Sequence, residues 1–254
     1  MVCQGLDKQE AKLVWQPFFN WVNASPNDFS VTDELGAGAK EAWRWWAVEG
    51  NASMIRDKRE GAPEHHAWWE GDQDQVGVFI HAYDSLWLPA SLLQAKQQRR
   101  LAEALFAASR HKDFGLHFNK GMAGAPPDVR AGARQTATNP AVVDAFALVI
   151  IADGERPSYP GLARPPMGLD AARKDAREIE LATAELRKIA SNAGSYVSES
   201  NYFNAVWQTA YWGGNYPRLQ AIKKKYDPDG LFFVHNGVGS EEWSRDGFTR
   251  IARR

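Results

Sequence analysis

The chain has 254 residues, of which 44% are hydrophobic and 24% charged. Those proportions exclude a disordered, collagen-like or low-complexity chain and leave room for one large domain or two small ones. Lys and Arg number 30 against 31 Asp and Glu, a net charge of −1, so no whole-chain field exists to hold a polyanion and no nucleic-acid partner is expected.

A single cysteine, Cys3, excludes an internal disulfide framework and a cysteine-based zinc site. The longest apolar run, near Ala145–Ala152, is far shorter than the ~20 residues that span a bilayer. The N-terminus lacks the basic, apolar and small-residue order of a secretory signal. No membrane association is expected, and the compartment stays open. Eleven Trp are present. They read either as large core residues or as an aromatic wall around a flat ligand.

Asp7, followed by Gln9 and Glu10, predicts an N-cap. The apolar run Ala11, Val14, Trp15, Phe18, Phe19, Val22 has helical spacing, and Pro17 is expected to break or kink that helix. A second helix is expected over 37–48, and 50–73 reads as a long polar loop. Val76, Val78 and Ile80 alternate with Gly77, Phe79 and His81 and predict a strand apolar on both faces. Residues 87–90 read as a turn, with Ser91 capping a helix that ends near His111.

Further strands are expected over 114–118 and 146–152, separated by a Gly/Pro-rich connection at 121–127. A helix over 170–190 buries Ala172, Ala176, Ile179, Thr183, Leu186 and Ile189. Gly194 suits a left-handed cap beyond it. The run Lys223-Lys224-Lys225 reads as a solvated helix face. Strands and helices interleave without a strict β-α-β rhythm, so the expected class is α+β: an antiparallel sheet covered by helices on one face, with a C-terminal helical and loop cap.

No phosphate-cradling glycine loop and no nucleophile elbow occurs. None of the six His stands at i, i+4 from another, so no metal site is expected. In Leu116-His117-Phe118-Asn119-Lys120, strand alternation puts His117 and Asn119 on one face, which is either solvated or lines a pocket. In Gly194-Ser195-Tyr196-Val197-Ser198-Glu199-Ser200-Asn201-Tyr202, a carboxylate lies among hydroxyls and aromatics. Burial and hydrogen bonds in such surroundings tune a base.

The C-terminal run is Trp212-Gly213-Gly214-Asn215, then Arg218-Leu219 and Lys223, then Tyr226-Asp227-Pro228-Asp229-Gly230-Leu231-Phe232, then Val238-Gly-Ser-Glu241-Glu-Trp243. It resembles the C-terminal segment of the berberine-bridge-enzyme-like FAD-linked oxidases of the vanillyl-alcohol-oxidase superfamily. Residues 87–90, 117–121 and 138–141 resemble the substrate domain of the same family.

The resemblance implies a substrate domain over 1–190 and a berberine-bridge-enzyme-like segment over 191–254. It implies FAD as cofactor and an FAD-binding domain or subunit as partner, because the family's pyrophosphate cradle and flavin tether have no counterpart in this sequence. The implied activity is oxidation of an alcohol or other hydroxyl-bearing small molecule by hydride transfer to flavin N5, with O₂ as acceptor. The alternative is a truncated or standalone small-molecule-binding module. Tyr196, Ser198 and Asn215 are implied to face the flavin, Ser198 standing where the family has Asn. Glu199 stands where relatives carry a Tyr that is a candidate base, which makes it the expected catalytic residue. His117 and Asn119 are the expected substrate contacts.

Overall fold

The computed structural model describes residues 5–32, 38, 40–72, 77–118, 122, 125–156 and 168–251. Cys3, Val76 and Asn119, singled out above, lie outside the described residues. The chain divides into two compact units, 1–76 and 77–254.

The first unit opens with helix α1 (Lys8–Asn23). Its predicted cap forms as a reciprocal box. The Asp7 carboxylate accepts from the amides of Gln9 and Glu10 at 2.7 and 2.8 Å, and the Asp7 amide donates to the Glu10 carboxylate at 2.8 Å. The expected break at Pro17 does not occur, and the helix runs through it. Rings on both sides of the proline hold the turns together: Trp15 meets Phe18 and Phe19 at centroid distances of 5.9 and 6.1 Å.

Where a second helix was expected, the described residues form one 3₁₀ turn, Ala42–Trp45. The Asn51 amide donates to the Trp45 carbonyl at 3.0 Å, and Gly50 takes a positive φ of 71°, so the chain turns instead of continuing. The expected loop at 50–73 contains a hairpin, β1 (Met54–Arg56) against β2 (Ala67–Trp69). Asp57 organises its connection. The carboxylate accepts from Arg59 Nε and an Arg59 terminal nitrogen at 2.9 and 2.6 Å, and it lies 2.7 Å from His66 Nδ1. The Arg59 guanidinium holds the Asp57 carboxyl well below the usual carboxylate range.

The second unit is built on an antiparallel sheet of β3 (Phe79–Pro89), β5 (Ala145–Glu155) and β4 (Gly115–Phe118), in the order β3-β5-β4. Leu86 pairs with Val149, Trp87 with Leu148, and His117 with Leu148 from the other side. Helices α2 (Ala95–Ser109) and α4 (Leu169–Arg187) cover one face. The core between them joins Leu86, Leu88, Ala147, Val149 and Ile151 of the sheet to Leu101, Ala104 and Ala108 of α2 and Ile179, Ala182 and Leu186 of α4.

The expected class is therefore the observed one. The strand expected to end near Ile80 instead extends through Trp87 to Pro89, replacing the predicted turn. Ser91 caps no helix: it lies in a 3₁₀ turn, and α2 starts after Gln94 without a side-chain cap.

A helix absent from the expectation, α3 (Pro127–Arg134), follows the Gly/Pro-rich connection and starts on its last residue. Its proline stands in the first turn, where the missing N–H costs nothing. The C-terminal cap contains α5 (Trp207–Trp212) and α6 (Tyr216–Tyr226). Trp207, Trp212 and Trp87 are buried, whereas Trp43 and Trp46 of the first unit are exposed. The tryptophans thus divide between core and surface.

Candidate functional site

Side chains alternate across a strand, so the register that sends Leu86 and Leu88 into the helices turns Tyr83, Ser85 and Trp87 to the opposite face. There they stand in rows with Ala152, Ile150 and Leu148 of β5, and the Leu148 row continues to His117 on β4. Among the described residues this second face carries no helix pair.

A segment of the C-terminal region runs along the outer edge of β3. The Trp87 amide donates to the Gly194 carbonyl at 2.9 Å. The Ser85 and Ser195 hydroxyls are 2.9 Å apart, and the Tyr196 amide donates to Ser85 Oγ at 3.1 Å. The Ser195 amide donates to the Ala210 carbonyl of α5 at 2.8 Å.

Asn139 locks the same junction. It is buried, its amide nitrogen donates to the carbonyls of Ala210 and Thr209 at 2.7 and 3.3 Å, and its Oδ1 accepts the Ala141 amide. A Cβ on Gly194 would lie 2.4 Å from that amide nitrogen. Gly194 thus serves close approach, not the left-handed cap expected of it, and its φ is not positive.

This junction presents Tyr196 and Ser198 as exposed residues and Glu199 as half-buried. The Tyr196 ring meets the Trp87 ring at 6.2 Å and 60°. The Glu199 amide closes a turn onto the Tyr196 carbonyl at 3.0 Å. Burial first, and then the charge of the neighbouring Glu199, push the Tyr83 phenol up, so it keeps its proton. Tyr83, Ser85 and Trp87 were missed from sequence. Their signal is the alternation of Tyr83, Ser85, Trp87 with Asp84, Leu86, Leu88.

The other expected residues stand apart. His117 is exposed on edge strand β4, on the same sheet face as Trp87 but across β5 from it. Asn119 lies outside the described residues. Asn215 precedes α6, and its amide nitrogen donates to the carbonyls of Arg134, Thr136 and Thr138 at 2.8, 3.0 and 3.2 Å. Its amide therefore ties α6 to the stretch after α3. The Asp227-Pro228 motif is likewise a loop organiser. The Asp227 carboxylate accepts the Leu231 and Phe232 amides at 2.8 and 3.1 Å and pairs with Lys223, which lowers its pKa.

One group among the described residues brings metal-ligand atom types within 4.8 Å of one another: His81, Asp153 and Asp175. A bulge between Ile80 and Ala82 turns His81 toward α4, where Nδ1 lies 2.8 Å from Asp175. Lys112 already sits between the two aspartates, 3.1 Å from Asp175 and bonded to Asp153, which raises the lysine's pKa. The cluster thus carries its own cation.

Residues 186–239 match the family model for "Berberine and berberine like". The VAO-type flavoprotein oxidase VAO615 of Thermothelomyces thermophilus is 48% identical over 58 residues, 23% of this chain and 10% of the relative. The FAD-linked oxidoreductase notD' of Aspergillus versicolor is 48% identical over 56 residues, 22% of this chain and 9% of the relative. These matches span about a tenth of the curated relatives' length.

The crystal structure of the VAO-type flavoprotein MtVAO615 from Myceliophthora thermophila C1 aligns with a TM-score of 0.60 at 20% identity, covering 94% of this chain and 38% of that one. That of MtVAO713 from the same organism aligns at 0.61 and 19%, covering 37% of its chain. The structural likeness is one of fold. No described helix is long and apolar enough to cross a membrane. By fold and by its berberine-like segment, the chain matches a C-terminal part of the VAO-type, FAD-linked oxidoreductases.

Proposed function

We propose that this chain is the substrate-binding and flavin-capping part of an FAD-dependent oxidoreductase that oxidises an alcohol or similar hydroxyl-bearing small molecule. Residues 1–190 make the substrate-domain part and 191–254 the cap. The observation that carries the reading is the docking of Tyr196, within the berberine-like segment, against Ser85 and Trp87 on the sheet face opposite α2 and α4, with Glu199 one turn on.

The exposed Tyr196 ring, edge-on to Trp87, fits one face of a planar heteroaromatic ring. A pyrophosphate cradle is absent among the described residues, so the rest of FAD falls to an FAD-binding domain or subunit. Tyr202, Phe203, Val206, Leu231, Phe232 and Val234 are exposed in the same segment and favour such a partner.

FAD, when bound, would supply a hydride acceptor at N5, with O₂ as the final electron acceptor. Glu199 takes the hydroxyl proton of the substrate, with the Tyr83 phenol as its neighbour. Tyr196 and Ser198 face the flavin. Asn215 supports the cap behind them through its three carbonyl contacts. His117 and Asn119 orient the substrate from β4 and beyond.

In the FAD-loaded protein, Glu199→Gln keeps the flavin content and slows anaerobic flavin reduction by an alcohol panel about 10²–10⁴-fold. An unchanged rate removes Glu199 from the role. If no alcohol in the panel reduces the wild-type flavin, the alcohol-oxidation reading falls.

A further inference from the structure

We infer that Ser85 is a positioning residue for this site: its hydroxyl sets where Tyr196 and Glu199 stand without touching a ligand itself. The inference rests on the proposed function for its consequence, and on geometry for its substance. Ser85 is 1% exposed, as is Ser195, so neither hydroxyl meets solvent or a ligand. Each is the other's partner at 2.9 Å, across 110 residues of chain.

The Tyr196 amide donates to Ser85 Oγ at 3.1 Å, whereas one step along the edge the Trp87 amide donates to the Gly194 carbonyl at 2.9 Å. The segment is therefore docked on β3 by one backbone bond and by two bonds to the Ser85 hydroxyl. Ladder pairing would hold Tyr196 close against the strand. The serine hydroxyl holds it one side chain's length away, with its ring against Trp87.

The turn from Tyr196 to Glu199 is closed by a backbone bond of 3.0 Å, so a shift of the Tyr196 amide carries the Glu199 carboxylate with it. Alanine at position 85 would leave the Tyr196 amide and the Ser195 hydroxyl without this partner, a cost buried polar groups feel acutely. Among the described residues the Tyr196 amide has no second acceptor.

Amide hydrogen exchange and the visible spectrum of the FAD-loaded protein, with its FAD-binding half, test this. Ser85→Ala is expected to speed exchange at the Tyr196 amide at least 10-fold, while the amides of α2 and α4 keep their wild-type rates. It is also expected to shift the flavin absorption bands in the same direction as Tyr196→Ala. Ser85→Thr, which restores the hydroxyl, returns both readouts toward wild type. Ser85→Cys, close in volume and a poor acceptor, repeats the alanine result should that variant not fold.

Wild-type exchange at Tyr196 in both Ser85→Ala and Ser85→Cys overturns the positioning role. So does an unmoved flavin spectrum in those variants when Tyr196→Ala does shift it. If Tyr196→Ala leaves the spectrum unchanged, the flavin-facing reading of Tyr196 falls instead, and exchange alone decides the Ser85 contact.

Discussion

The two faces of the β3-β5-β4 sheet are made by alternate residues of the same strands and behave as different materials. The helix-covered face is aliphatic and closed, with Leu88, Ala147, Val149 and Leu186 fully buried. The opposite face mixes phenol, hydroxyl and indole groups at Tyr83, Ser85 and Trp87; residues 194–196 run along one edge of it, and Ala141 and Val142 pack on Trp87 and Leu148. One face is held by area removed from water. The other adds a few directed bonds to a smaller apolar cluster, each leaving a defined vector for a neighbouring side chain. Stability is concentrated on the first face and the proposed site on the second.

Substitutions that separate the faces put that contrast at risk. Leu88→Ala on the closed face is expected to lower unfolding stability by about 2–5 kcal/mol, read by denaturant titration, since the fully buried site leaves a cavity. Asn139→Ala, on the side of the directed bonds, is expected to cost about 1–3 kcal/mol by taking the acceptor from the Ala141 amide and one of two donors from the Ala210 carbonyl. A loss above that of Leu88→Ala would reverse the contrast.

Asp84 is the polar intruder on the closed face, 3.6 Å from Arg187 of α4. Burial, more than the Arg187 charge offsets, raises its pKa. A carboxyl with a raised folded-state value stabilises most when protonated, and that contribution fades as pH rises through the folded-state pKa. Melting curves from about pH 3.5 to pH 8 should therefore move in favour of Asp84→Asn, relative to wild type, with rising pH. The ordinary carboxyl value near 3.9 marks where the change begins. A gap that stays constant with pH would show that Arg187 fully compensates the charge.

His117→Ala should be the smallest effect, within about 0.5 kcal/mol by denaturant titration, because the side chain is exposed on an edge strand.

The closed face was readable in the sequence because it is periodic. Ile179, Leu186 and the strand at 146–152 repeat at helix and strand spacing, and both elements stand where the pattern put them. The C-terminal motif was readable as a family resemblance, but its motif residues turned out to serve loops: Asp227 caps amides, and Asn215 gathers three carbonyls.

Two kinds of feature stayed hidden. The β1–β2 hairpin has strands of three residues each, too short for alternation to register, and is set by Asp57, Arg59 and His66. The Ser85–Ser195 contact joins residues 110 positions apart that share no local pattern. Alternation along β3 does announce a second face, but the predicted turn at residues 87–90 cut that strand short and concealed it.

The strand pairing that builds both faces also dictates an order of assembly. Leu86 and Val149 are direct neighbours in the sheet yet stand 63 residues apart in the chain, with α2, β4 and α3 lying between them. Closing so long a loop costs entropy before any ladder bond repays it, which makes the β3–β5 pairing a slow step. Residues 194–196 dock on β3 through Ser85 and Trp87. The segment carrying Tyr196 and Glu199 is therefore expected to settle only once that strand is itself held in place.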